Sequence, residues 1–261
     1  MNIESKARAG FSSIMLRGGR MTKWKGQVAS YAPQVGHLQS VSVAAMAAAL
    51  AFGGAMAVPS EAQAQDVTVV VDSGAPAPVA EVNNGDGALI IRATVPVTGV
   101  EATNAASATD LDIETDDITS PSNGVLATNN GSGLTSVNTT AGVVSATGGS
   151  GISVKTFGNG LDINAGQVSG SNIGISAENV GLGVTNVTAT GPISGGFSHG
   201  VSVFTDGLTT DVNVNVADVS SGEKAITVTR NGGGPGDINI TSTGTLNSFA
   251  LAELYDVEIL P

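Results

Sequence analysis

From residue 99 onward, small, aliphatic and polar positions return in a fixed order. The stretches GVEATN at 99, GVLATN at 124, GISVKT at 151, GISAEN at 174, GVSVFT at 200, AITVTR at 225 and, degenerately, ALAELY at 250 align at spacings of 25, 27, 23, 26, 25 and 25. The first position is always very small: Gly99, Gly124, Gly151, Gly174, Gly200, Ala225 and Ala250. The second is always aliphatic: Val100, Val125, Ile152, Ile175, Val201, Ile226 and Leu251. The fourth is Ala102, Ala127, Val154, Ala177, Val203 and Val228, and Glu253 breaks the series. Apolar second and fourth positions with polar third and fifth positions describe a strand with one buried face.

Two further blocks recur. DITS at 117, VVSA at 143, QVSG at 167, PISG at 192, DVSS at 218 and, more loosely, TLNS at 245 share an aliphatic residue, and serine follows it in four of the six. LDIET at 111, LDINA at 161, LGVTN at 182, DVNVNV at 211 and DINIT at 237 form a weaker third set. Asn-Gly, Gly-Gly, Asn-Asn and Ser-Gly lie between the blocks and supply turn chemistry. Three short strands per repeat predict one coil of a parallel β-helix, each strand pairing with its counterpart one coil along. Seven coils at ~4.8 Å each would span roughly 30 Å. A flat β-sandwich also has short strands and Gly-rich turns, but it lacks a repeat of constant phase. Asn104, Asn129 and Asn179 share the sixth position with Thr156 and Thr205. They either stack as a hydrogen-bond ladder or serve only the turn's backbone geometry.

Composition narrows the function. The chain has 261 residues, 22 acidic and 10 basic, with a net charge of -12, 3% aromatics and no cysteine. Lack of cysteine removes disulfides, thiolate metal sites and a thiol nucleophile. The acidic balance argues against nucleic acid as a partner, because phosphate binding needs clustered Lys and Arg. Six of the basic residues (Lys6, Arg8, Arg17, Arg20, Lys23 and Lys25) precede the uncharged segment 41–58, and Ala62-Gln63-Ala64 follows it. A basic region, an apolar region and a small-x-small site predict an extended signal peptide, residues 1–64, cleaved before Gln65. Removing it leaves four basic and 20 acidic side chains, a net charge of -16. A transmembrane anchor is the alternative, weakened by a segment of Ala and Gly and by the absence of stop-transfer charges.

The long n-region of residues 1–40, the Ala62-Gln63-Ala64 site and coils such as GVLATNN at 124 and GISAEN at 174 resemble passenger domains of the autotransporters of type V secretion in Gram-negative bacteria. The resemblance implies an all-β, right-handed parallel β-helix after an N-terminal signal helix, delivered by the Sec export machinery. It divides the chain into the signal peptide, a strand and capping segment at 65–98, and β-helix repeats at 99–261. The C-terminal translocator barrel of that family is not visible here, since no run of about ten alternating residues with aromatic girdles occurs. The expectation is a passenger cut short, or one whose outer-membrane barrel is a separate polypeptide. The location would then be the cell surface if a translocator is supplied and the periplasm if it is not.

Three motifs suggest chemistry. Gly196-Phe197-Ser198-His199-Gly200 matches the hydrolase G-x-S-x-G elbow, but no later histidine follows. Strand alternation would point His199 away from Ser198, so the match reads as a turn. The segment from Asn231 to Asp237 approaches a calcium-binding Gly-Gly-x-Gly-x-Asp repeat, with Pro235 in place of a required glycine. Asp110, Asp112 and Glu114 share one strand face, open to a hard cation or simply to water, with Leu111 and Ile113 inward. Arg92, Lys155, Lys224 and Arg230, the basic residues left after cleavage, do not cluster as a pectinolytic site would need. The expectation is a non-catalytic adhesin or stalk with no cofactor and no metal, its host-surface or polysaccharide ligand undefined. The alternatives are a carbohydrate-active β-helix enzyme and a remnant without function.

Overall fold

A computed structural model describes residues 64–206, 208–232, 234–249 and 255–260. The expected signal helix and Ala62 lie outside the described residues. Those residues form strands and turns, with no helix among them, and the strands pair in parallel to build a β-solenoid of about seven turns.

The first coils alternate between two strand-bearing faces, and from Ile118 onward each coil visits three. On the first, Val79–Asn83, Val100–Asn104, Val125–Asn129, Ile152–Thr156, Ile175–Asn179, Val201–Asp206, Ile226–Asn231 and Tyr255–Leu260 pair in chain order. The second begins with Val67–Val71, Leu89–Ala93 and Leu111–Thr115, passes through the front halves of Thr135–Ala146 and Leu161–Gly170, and ends in Gly183–Ala189, Thr209–Val216 and Ile238–Ser242. The third runs from Ile118–Ser120 through the rear halves of the same two long strands to Ile193–Gly195, Val219–Ser221 and Leu246–Ser248. The stack therefore already includes residues 79–97, before the first aligned block, with Val97 bridging to Ile118.

The alternation has its expected result. Second-position Val125, Ile152, Ile175, Val201 and Ile226 are fully buried, and fourth-position Ala127, Val154, Ala177, Val203 and Val228 nearly so. Each buried aliphatic side chain contributes roughly 1.5–3 kcal/mol. The first position must be small because backbones meet there. A Cβ on Gly174 would lie 2.5 Å from the carbonyl oxygen of Gly200, and one on Gly151 2.7 Å from that of Gly174.

Two registers differ from the sequence alignment. The partner of Leu161 is Thr185, not Leu182, and Ile163 pairs with Val187. Leu182 is consequently half exposed, while buried Thr185 accepts a hydrogen bond from Asn179 Nδ2 at 3.0 Å. In the last coil Ile226 pairs with Tyr255 and Val228 with Val257, four residues beyond the aligned ALAELY block. The aligned register would have set the Glu253 carboxylate opposite Val228, in an inward column where an unpaired charge is costly.

The sixth-position column runs continuously from Asn83 through Asn104, Asn129, Thr156, Asn179 and Thr205 to Arg230. Its main work is local. Oδ1 of Asn83, Asn129 and Asn179 accepts the N–H of Gly85, Gly131 and Gly181 at 2.9, 2.9 and 3.0 Å. A side-chain link along this column occurs from Asn83 Nδ2 to Asn104 Oδ1, at 3.2 Å.

Candidate binding surfaces

The outward rows are as regular as the core. On the second face an amide ladder forms, at a position the sequence reading did not single out. Asn186 Nδ2 donates to Asp162 Oδ1 at 2.6 Å, Asn213 to Asn186 at 2.9 Å, and Asn239 to Asn213 at 3.0 Å. On the third face Thr119, Ser145, Ser169, Ser194, Ser220 and Asn247 stand in register, one per coil. Period-2 alternation aims both rows at solvent, because their neighbours in sequence face the core.

Much of the acidity is structural. Aspartates just before strands each accept a backbone N–H one coil on: Asp66 from Ala88 at 2.9 Å, Asp110 from Leu134 at 2.7 Å, and Asp117 from Val143 at 2.8 Å. Asp211, inside the strand Thr209–Val216, accepts from Asp237 at 2.9 Å, and Asp218, just before its strand, from Thr245 at 2.7 Å. A carboxylate is the stronger acceptor for such an N–H. Asp117, Asp211 and Asp218 head blocks of the repeat, and that recurrence was the available signal.

The acidic strand at 111–115 turns Leu111 and Ile113 inward, both fully buried. Its outward carboxylates meet a cation of the chain: Arg92 lies 2.5 Å from Asp112 and 3.1 Å from Glu114. Of the three carboxylates expected to share a face, two therefore pair with the guanidinium, and Asp110, ahead of the strand, accepts the Leu134 N–H. Among the described residues no group of three or more His, Asp or Glu side chains could hold a metal ion.

The other Lys and Arg side chains among the described residues are engaged as well. Lys155 pairs with Glu178 at 2.6 Å, and Lys224 with Asp256. Arg230 is 2% exposed and donates to the carbonyls of Gly236 at 2.5 Å and Thr210 at 2.9 Å. The turn that resembles a calcium loop thus directs carbonyls at a buried guanidinium.

The G-x-S-x-G segment is a turn between the third and first faces. Its side chains, however, do not diverge. Ser198 Oγ lies 2.7 Å from His199 Nδ1, against the expectation from strand alternation, which does not operate in a turn. Glu223, at the equivalent turn of the next coil, lies 3.4 Å from Ser198 Oγ. In a catalytic triad the carboxylate orients the ring; here it contacts the hydroxyl. Glu223 escaped the sequence reading because the two turns share no motif.

Of the expected cleavage site, Ala64 and Gln65 lie exposed, ahead of the first strand at Val67. No family profile, curated protein or solved structure matches the chain.

Proposed function

We propose that the chain is an exported, non-catalytic β-helix that acts as a stalk or adhesin at or beyond the surface of a Gram-negative cell. The observation that carries this reading is the unbroken stack whose outward rows repeat Ser, Thr and Asn, with its cations committed to ion pairs or buried. Such a surface binds through many weak polar contacts. The autotransporter resemblance supplies the route: Sec export, cleavage after Ala64, and a translocator barrel for passage outward.

Expression of the full chain in a Gram-negative host tests it. The expected product is found outside the cytoplasm, starts at Gln65 by mass spectrometry, and adheres to a panel of extracellular-matrix proteins and polysaccharides. A cytoplasmic product with its first 64 residues intact, or one that binds nothing on the panel, overturns the reading. The Ser198–His199 contact favours a second reading, a carbohydrate-active enzyme. Release of reducing sugars from pectate that His199→Gln abolishes would establish it.

A further inference from the structure

Phe197 and Phe249 are 80% and 81% exposed, in a chain with 3% aromatics. They are the two most exposed large hydrophobic side chains among the described residues. They belong to one turn, between the third and first faces, on coils two apart. Phe197 N–H donates to Ser171, Glu223 N–H to Ser198 and Phe249 N–H to Ser221, so Glu223 stands on the intervening coil. The two rings are offset by one residue along the turn. Beside them runs the serine row of the third face, with Ser194 and Ser220 on the coils of Phe197 and Glu223.

The pattern is aromatic, polar, aromatic at successive coils. Two coil spacings come to about 10 Å, the length of a disaccharide unit in an extended β-linked glycan. Aromatic rings stack on the C–H faces of pyranoses, and Ser198 and His199 beside Phe197, with Glu223 on the intervening coil, can bond sugar hydroxyls. An anionic glycan fits poorly. The chain beyond residue 64 carries a net charge of -16, Glu223 sits mid-site, and each basic residue there is paired or buried.

We propose that this turn and the adjoining serine row bind a linear, uncharged, β-linked polysaccharide laid along the solenoid, with Phe197 and Phe249 as stacking platforms. This deepens the surface-binding reading and rests on it.

Native gel electrophoresis of the full chain through hydroxyethylcellulose, laminarin, soluble starch or polygalacturonate tests it. The expected result is retardation by a β-glucan gel and none by starch or polygalacturonate. Phe197→Ala and Phe249→Ala should each weaken apparent affinity about tenfold, near 1.4 kcal/mol, with the circular dichroism spectrum unchanged. Retardation that survives in the double variant, equal retardation by starch or polygalacturonate, or none by either β-glucan overturns the inference. Panel binding that persists in the double variant sinks this site and leaves the adhesin reading standing. Absence of all binding in the unaltered chain removes both.

Discussion

Ile163 and Ile240 occupy one inward column of the second face, linked through Val187 and Val214. Ile163 is fully buried, whereas Ile240 is partly exposed beside a hollow of about 410 Å³ that Ile238, Leu246 and Val257 also line. Chemistry and strand position are the same; only the presence of a coil on both sides differs. Burial in this fold is therefore a property of neighbours, as expected where each repeat contacts only the next. The first described coils are finished differently. Glu81 takes an inward position opposite Ala102, and Asn83 donates to the Gly87 carbonyl at 2.8 Å. An inward charge discourages edge-to-edge pairing, while on the second face Val67, Val69 and Val71 stay inward and only partly buried, as Ile238 and Ile240 do at the other end.

The largest expected effect comes from breaking the buried member of the pair. Ile163→Ala should lower stability by about 2–5 kcal/mol in urea denaturation, since a cavity opens between two fixed coils. Arg230→Met should cost about 1–3 kcal/mol by the same measurement, because it leaves buried carbonyls without a donor. Gly174→Ala forces a methyl against the Gly200 carbonyl, and overpacking of this kind costs about 1–3 kcal/mol. Ile240→Ala should cost at most about 1 kcal/mol, since part of that side chain is already in water. Equal losses for Ile163→Ala and Ile240→Ala would refute the neighbour argument.

Period-2 alternation made the inward columns readable wherever a coil kept its aliphatic residues, as at Ile152 and Val154 or Ile175 and Ala177. It failed where a column admitted a polar residue. Thr135 and Thr185 fill the places of Leu111 and Leu161 because nearby asparagine amides, Asn129 and Asn179, donate to their hydroxyls at 3.0 Å each. A hydropathy pattern sees a threonine and moves to the nearest leucine, which is how Leu182 was misplaced. The site was less legible still. Ser198 and His199 drew notice as a motif, but Glu223 and Phe249 lie 25 and 51 residues beyond Ser198, and only coil stacking makes them neighbours.

The fold class follows from the sequence by itself, because a repeat of constant phase, small at the backbone contact and aliphatic twice per strand, can bury its core only by stacking. So do the acidity, the absence of thiol chemistry and the scarcity of cations. Tertiary structure decided which residues become neighbours: the Asp162–Asn186–Asn213–Asn239 ladder, the clasp of Arg92 on Asp112 and Glu114, and the contact of Ser198 with Glu223. Each depends on register between coils some 25 residues apart. A slip of one residue in that register turns every side chain of a strand to the other face.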